Sequence, residues 1–308
     1  MAEFALVDYF IMGEQLYKRR DFIGNVVKAG AAGVITNPLL DHYNLTETLT
    51  VSQVIERIIA EVPGDKLNET VDTLKSGSGD QVVTGIVATM FATVKVIQAA
   101  AKMKANFIIA HEPTFYNHTG DPNWVENNST VKEKKELLDK YQITVWRFHD
   151  YWHRMKPDGI LHGFLLKTDW LGYNPKEENV FQLPAQSLIE IVRHLKDSLK
   201  IPRIRYIGDE SANCSIIALM PGAPGGQRQV KMMIENKADL LIAGESPEWE
   251  TPEYIRDSRA LGKSVSLIIL GHAYSEEPGM EYLVQWLQPK LPGIKITHIA
   301  PDATFTWA

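Results

Sequence analysis

Four short apolar segments of this chain each lead directly into a side chain that can bind a metal ion. The ligand-type residues at these positions are His111 with Glu112, His149, Glu245 and His272. Short apolar segments bounded by polar residues are typical of buried strands in an α/β sheet. Ligands of such sheets bind just beyond the carboxyl ends of the strands. The four endings therefore predict a metal site assembled from distant parts of the chain.

The spacing of neighbouring residues adds further candidates. His272 and Glu276 stand four apart, so both lie on one face if the chain continues as a helix. His149 and His153 have the same spacing, and Asp150 lies between them. A satisfied polar residue at a strand end would explain any one of these histidines alone. Because parallel strands end at the same edge of a sheet, the whole set favours a metal site.

The donor types restrict the chemistry of this site. Cys214 is the only cysteine, which excludes an internal disulfide or a thiolate cluster within one chain. It begins an apolar segment, so it is predicted to be a core residue. The metal ligands must then be nitrogen and oxygen, a mixture that suits zinc, iron, manganese or nickel. Two ions about 3.5–4 Å apart commonly hold a bridging water or hydroxide that acts as the nucleophile.

The elements that position these residues form two similar units. In the first, Thr50 is a plausible N-cap for a helix that begins at the next residue. A strand at 82–89, a helix at 93–104 and a strand at 106–110 follow, which predicts parallel pairing through a crossover. A charged helix at 131–141 then leads into the strand before His149.

The second unit repeats this order. A strand at 214–220 is followed by a glycine-rich turn at 221–226, a helix at 227–236 and a strand at 239–243. The turn lacks the lysine and the spacing of a phosphate-binding loop, so it is predicted to need glycine for steric reasons, with a phosphate subsite as the minor alternative. Pro278 is predicted to lie in the first turn of the helix after His272.

Composition excludes several classes of protein. A chain of 308 residues is long enough for one large domain or two. Its formal net charge of −6 gives no basic footprint for nucleic acid. No apolar segment is long enough to span a bilayer. We therefore expect a small-molecule ligand and neither a nucleic-acid partner nor a transmembrane segment.

The first 45 residues resemble a targeting segment. Arg19 and Arg20 precede an aromatic and an aliphatic residue and then a mildly apolar stretch, as in a twin-arginine export signal. An ordinary amphipathic helix with surface arginines is the alternative. The sequence thus predicts a signal or flexible segment at 1–45, a folded domain at 46–308, and export to the periplasm. If the signal interpretation is wrong, the protein is cytoplasmic.

Two motifs resemble those of a known family. These are Ala110-His111-Glu112-Pro113 and the segment Gly271-His272-Ala273-Tyr274-Ser275-Glu276-Glu277-Pro278-Gly279. They are similar to the Nif-three-like dinuclear metal-centre family, and the resemblance covers roughly residues 50 to 308. It implies an α/β fold of two interleaved subdomains with mostly parallel strands and the metal site at the strand carboxyl ends. It also implies a homo-hexameric ring and two divalent metal ions per chain, namely zinc, iron or manganese.

The chain departs from that family in two positions. The family usually has a second histidine where Glu112 stands, and an aspartate where His153 stands. The two changes nearly preserve the inventory of donors, which favours a retained site with a new arrangement. The ligands implied by the resemblance are His111, Glu112, His153, His272 and Glu276. Asp150 is the substitute if His153 points away.

The resulting functional hypothesis is a metal-dependent hydrolase in which a bridging hydroxide attacks a phosphoester, an amide or a nucleotide ring. Glu245 is the candidate proton shuttle, or Glu276 if it is not a firm ligand. The family is often labelled GTP cyclohydrolase I type 2, although nothing in this sequence indicates a guanine pocket. The alternative is a non-catalytic metal-binding or assembly protein with structural or stored ions.

Overall fold

The computed structural model describes residues 9–12, 15–18, 48–173, 175–177, 179–306 and 308. The chain divides into a unit at Met1–Leu45 and a much larger unit at Thr46–Ala308. In the first unit, β1 (Tyr9–Met12) and β2 (Gln15–Lys18) form an antiparallel pair. The paired arginines lie outside the described residues, so the export signal stays a prediction.

The second unit contains two β-sheets and the helices that cover them. Its strands are β3 Leu74–Ser76, β4 Ile86–Thr89, β5 Phe107–Ala110, β6 Thr144–Arg147, β7 Pro175–Glu177, β8 Val180–Ser187, β9 Arg205–Ile207, β10 Asn213–Met220, β11 Leu240–Ala243, β12 Ser266–Ile269 and β13 Ile296–His298. Its α-helices are α1 Val51–Ala60, α2 Val94–Lys102, α3 Ser129–Lys140, α4 Asp150–Arg154, α5 Gly159–Lys167, α6 Leu188–Leu199, α7 Gly226–Asn236, α8 Thr251–Ala260 and α9 His272–Leu287. Short 3₁₀ turns occur at Asn123–Val125 and Gln288–Lys290. Among the described residues, no helix has the length and apolar character needed to cross a membrane.

The first sheet has the strand order β13-β4-β5-β6-β3. Its first four strands are parallel, and β3 pairs antiparallel with β6. Every residue of β4, β5 and β6 is buried, as expected for parallel strands covered on both faces. The aligned register pairs Ala110 with both Thr89 and Arg147, so these strands end at one level.

The second sheet has the order β7-β8-β10-β11-β12-β9. Its central strands β10, β11 and β12 are parallel, and the outer strands pair antiparallel. The chain builds most of the first sheet, completes the second sheet and then returns to add β13 to the first. This order makes the two halves interleaved, so the predicted fold class is confirmed.

Most predicted elements form, with shifts at their ends. Thr50 caps α1, and Gln53 completes a capping box. The strand predicted at 82–89 begins only at Ile86, because Val82 instead forms an isolated bridge with Thr50. Cys214 is buried in the core, as predicted. The first-turn prediction for Pro278 is wrong, because α9 already begins at His272 and Pro278 lies inside it.

The helix α9 connects the two halves of the unit. It starts at the end of β12 in the second sheet and packs against β4 and β13 of the first sheet. Close packing of α9 against α5 requires glycine on both helices. A Cβ at Gly163 would lie 2.4 Å from the Pro278 carbonyl oxygen, and one at Gly279 would lie 2.6 Å from the Ile160 Cα. The helix α9 is therefore packed closely against α5 and also contacts the first sheet.

Candidate metal centre

The ends of three parallel strands supply the residues of the candidate site. His111 directly follows β5, and His149 follows β6 after one residue at the start of α4. His272 is the first residue of α9, which is possible because Gly271 adopts a φ of +95° between strand and helix. Glu276 lies one turn further along the same helix. The sequence thus brings residues of both sheets to one place.

Four imidazole rings at this place are held in the same way. Each ring has its Nδ1 next to an oxygen acceptor, which fixes the tautomer and leaves Nε2 as the nitrogen that can bind a metal. The pairs are His111 with the Phe148 carbonyl at 3.1 Å, His149 with Asp150 at 2.8 Å, His153 with Asp158 at 2.9 Å, and His272 with Glu245 at 3.3 Å.

The surroundings of the His111 Nε2 show whether the site can accommodate a metal ion. Its ring is fully buried, and Nε2 has no hydrogen-bond partner within the described part of the chain. The Glu276 Oε2 is 3.5 Å away. A buried nitrogen without a partner is costly unless another group binds it. A metal ion would satisfy this atom, so the residues present fit such a group.

Two buried carboxylates lie between the imidazole rings. The Glu112 Oε1 lies 3.2 Å from the His272 Nε2 and 3.8 Å from the His149 Nε2. The Glu276 Oε2 lies 3.1 Å from the His272 Nε2. Arg147, which is fully buried, donates to the Glu112 Oε2 at 3.0 Å. The arginine holds Glu112 in place and compensates part of the buried negative charge.

The protonation of His272 reflects the excess of carboxylates around it. Burial opposes its protonation, but hydrogen bonds to Glu112, Glu245 and Glu276 outweigh burial and raise the pKa of His272 to about 12. Three carboxylates that converge on one imidazole form an environment that a cation stabilises.

His111 has the opposite protonation behaviour. Burial, followed by the positive charge of His149 and His153, holds the pKa of His111 well below its ordinary value. The ring is therefore a neutral imidazole at physiological pH, which is the form that binds metals.

Two overlapping groups of side chains have the geometry of a metal site. One contains His111, His149 and His153, and the other contains His111, Glu112 and Glu276. Within each group the ligand atoms lie within 4.8 Å of one another. The imidazole rings of the first group have centroids 4.7–5.1 Å apart. A His/Glu cluster able to hold a metal ion is therefore present.

All five ligands implied by the resemblance meet in this cluster. His111, Glu112, His153, His272 and Glu276 lie together. Asp150 does not join them, because its Oδ1 accepts from His149 and its Oδ2 accepts from the Thr70 hydroxyl at 2.8 Å and the Val71 amide at 3.1 Å. Glu245 lies at the edge of the cluster with a side chain that is 56% exposed.

Three residues of the site are not among the ligands implied by the resemblance. His149 is a candidate at a predicted strand end, and its place in the first group depends on the one-residue step from β6 into α4. Asp158 orients His153 and also caps α5. Gly222, with φ +67°, lets Glu276 approach the backbone, since a Cβ there would lie 2.1 Å from the Glu276 Oε1. The glycine-rich turn is the sequence signal for this last position.

A large cavity opens onto the cluster. Its volume is about 1430 Å³, and Glu112, His149, Glu245, His272 and Glu276 all line it. The remaining wall includes the aromatic residues Phe91 and Tyr116 and the cationic residues Lys134, Arg154 and Arg228. A small organic molecule with a negative charge could therefore reach the cluster.

Known proteins resemble this chain in sequence and in fold. A Clostridium perfringens protein named GTP cyclohydrolase 1 type 2 homolog is 26% identical over 240 residues, which cover 73% of this chain and 86% of that protein. The structure of a Staphylococcus aureus hypothetical protein matches with a TM-score of 0.68 and 16% identity, covering 85% of this chain and all of that one. A Bacillus cereus protein related to NIF3 matches with a TM-score of 0.67 and 13% identity, with the same coverage of both chains. These structural likenesses show the fold.

A family-wide sequence profile decides the classification. The profile of the Duf34/NIF3 (NGG1p interacting factor 3) family matches residues 49–304, which is most of the chain. The match includes every residue of the cluster. The chain belongs to the Duf34/NIF3 family.

Proposed function

We propose that this protein is a metal-dependent hydrolase with a dinuclear metal centre. The observation that carries the proposal is the buried, unpartnered His111 Nε2, which faces a cluster of imidazoles and carboxylates. The proposed ligands are His111, Glu112, His153, His272 and Glu276. His149 joins them because its Nδ1 is held by Asp150 and its Nε2 lies towards Glu112.

When two divalent ions are bound, such a centre supplies Lewis acidity and an activated water for hydrolysis. Zinc, iron and manganese all suit the donor set. Glu276 is only 3% exposed and lies close to two imidazoles, which supports a role as ligand rather than as proton carrier.

Glu245 is the proposed proton carrier. Its hydrogen bond with His272 lowers the pKa of Glu245, so the carboxylate is ionised and can accept a proton. It is exposed and lines the same cavity as the cluster. Its exposed position beside the cluster suits a group that takes a proton from water or substrate and returns it to a leaving group.

The cavity wall supports a small anionic substrate that contains a ring. Phe91 has its ring centroid 6.4 Å from that of His272, and Tyr116 and Arg228 line the same cavity. A phosphoester, an amide and a nucleotide ring are the substrate classes to test. The name of the Clostridium perfringens relative adds GTP to the set of compounds.

A substrate screen with matched variants tests this proposal. Metal-loaded protein would be assayed with a chromogenic phosphodiester, a chromogenic phosphomonoester, an amide and GTP. We expect turnover of one class that disappears in His272→Ala and falls by about 10²–10⁴ in Glu245→Gln while the metal content of Glu245→Gln persists. A protein that binds two ions and hydrolyses none of these classes would instead support the non-catalytic metal-binding alternative.

A further inference from the structure

We infer that the two ion positions of the proposed centre take different ions, a zinc-type ion among the imidazoles and a manganese-type ion among the carboxylates. This inference rests on the proposed dinuclear centre and adds which metal ion each of its two positions prefers. The imidazole group is His111, His149 and His153. The carboxylate group is Glu112 and Glu276 together with His272, and His111 lies between the two groups because its Nε2 is also 3.5 Å from the Glu276 Oε2.

The donors of the cluster differ in type from one side to the other, and His111 is shared between the two sides. The imidazole group offers three ring nitrogens whose mutual distances are within 4.8 Å. In the carboxylate group, the His272 Nε2 lies 3.2 Å from the Glu112 Oε1 and 3.1 Å from the Glu276 Oε2. One group therefore presents three nitrogens, and the other presents one nitrogen and two carboxylate oxygens.

The imidazole group is fixed before any ion binds. The Nδ1 atoms of its three rings donate to the Phe148 carbonyl and to the carboxylates of Asp150 and Asp158. Two of these acceptors are themselves held. Asp158 accepts from the Ile160 and Leu161 amides, and Asp150 accepts from Thr70 and Val71. Outer contacts of this kind orient metal-binding histidines and raise their basicity.

The carboxylate group has different surroundings. Glu112 is anchored by the buried Arg147 through its Oε2, which leaves the Oε1 facing His272. Glu245 adds a third carboxylate at the other nitrogen of His272. Three carboxylates therefore face His272 on this side of the cluster, and Arg147 offsets part of their charge.

The different donor types of the two groups predict that each group prefers a different metal ion. Imidazole nitrogens suit zinc and its neighbours in the transition series, whereas carboxylate oxygens suit harder ions such as manganese. Three histidines are a sufficient protein ligand set for catalytic zinc. The first equivalent of zinc should therefore occupy the imidazole group and leave the carboxylate group to manganese.

The test uses full-length protein stripped with a chelator and then given one equivalent of zinc. Manganese is titrated in, and the free ion is counted from its electron paramagnetic resonance signal. We expect one manganese per chain, with an affinity that the zinc changes less than about threefold. In His149→Ala the same zinc should move to the carboxylate group and weaken manganese binding by more than about 10-fold.

Two further variants control this experiment. His162→Ala alters a histidine of α5 that contacts Tyr282 outside the cluster, and it should behave like the unmodified chain. His149→Gln keeps a similar side-chain volume and replaces His149→Ala if thermal unfolding shows that the smaller residue is not tolerated.

Three results of the manganese titration would contradict the proposal. If one equivalent of zinc blocks manganese binding in the unmodified chain, the two groups do not prefer different ions. The same conclusion follows if zinc leaves manganese affinity unchanged in both His149 variants. If the unmodified chain binds neither zinc nor manganese, the proposed dinuclear centre itself fails.

Discussion

At the scale of single residues, the acceptor of each imidazole Nδ1 matters as much as the imidazole itself. Asp158 shows this most clearly, because one carboxylate performs two tasks. Its Oδ2 accepts from the His153 Nδ1, and its Oδ1 accepts from the Ile160 amide at 2.8 Å and the Leu161 amide at 3.0 Å. The first contact orients a proposed ligand, and the second caps α5.

Replacing Asp158 with asparagine should separate these tasks. Asparagine caps helices as well as aspartate does, so the unfolding temperature should change little. It presents a weaker acceptor to His153, so zinc affinity should fall about 10–100-fold, as measured by calorimetric titration of stripped protein. Unchanged zinc affinity would mean that Asp158 does not act on a ligand.

Lys134 is a second residue whose environment has a measurable consequence. Burial lowers the pKa of Lys134 to about 8 from its ordinary value of 10.5. Its Nζ donates to the Thr114 carbonyl at 2.7 Å and lies over the ring of Tyr116. Between pH 8 and 10.5 the unfolded chain binds more protons at this residue, so its contribution to the unfolding free energy rises with pH.

Lys134→Met should therefore stabilise the protein most below pH 8 and least near pH 10.5. The difference across this range should be up to about 3 kcal/mol, since each pKa unit corresponds to about 1.4 kcal/mol. Urea unfolding at pH 7.5 and 10 measures it. Lys132→Met, at an exposed position of the same helix, should retain the pH dependence of the unmodified chain. A pH-independent effect of Lys134→Met would contradict the assignment.

At the scale of elements, the glycine-rich turn between β10 and α7 gives Glu276 its position. Gly222 and Gly225 both have positive φ, at +67° and +87°. Their surroundings differ, because a Cβ at Gly222 would overlap Glu276, whereas nothing lies within 4 Å of one at Gly225. The pair therefore separates backbone strain from displacement of the ligand.

Alanine at either position should cost about 1–3 kcal/mol of stability, since residues with a Cβ rarely adopt a positive φ. Only Gly222→Ala should also weaken metal binding, because it pushes the Glu276 carboxylate away from the cluster. Thermal unfolding and metal titration of the two variants provide the comparison. Equal metal affinity in both would show that the turn does not position Glu276.

The elements also show how far the sequence alone determines the site. Apolar segments that end in ligand-type residues predicted the strands and their convergence, because parallel strands of aligned register end together. The contacts of Asp158 and Arg147 were not predictable in this way. Asp158 reaches His153 through the path of the 155–158 loop, and Arg147 is a cation at the end of a fully buried strand. Tertiary packing decides both positions.

At the scale of the whole molecule, the cluster belongs entirely to the unit at Thr46–Ala308. The family profile likewise begins at residue 49. A chain that starts at residue 46 should therefore keep the metal content and the unfolding temperature of the full chain. Elemental analysis and calorimetry of both chains measure this, and loss of metal on truncation would contradict it. The hexameric ring and the export signal stay predictions.

The number of metal ions per chain distinguishes a dinuclear centre from a cluster that binds no metal. Untagged protein would be purified without added metal and compared with His272→Ala by elemental analysis, with His162→Ala as a folded control. We expect about two divalent ions per chain in the unmodified protein and in the control, and their loss in His272→Ala. No bound metal in the unmodified protein, or an equal content in His272→Ala, would contradict it.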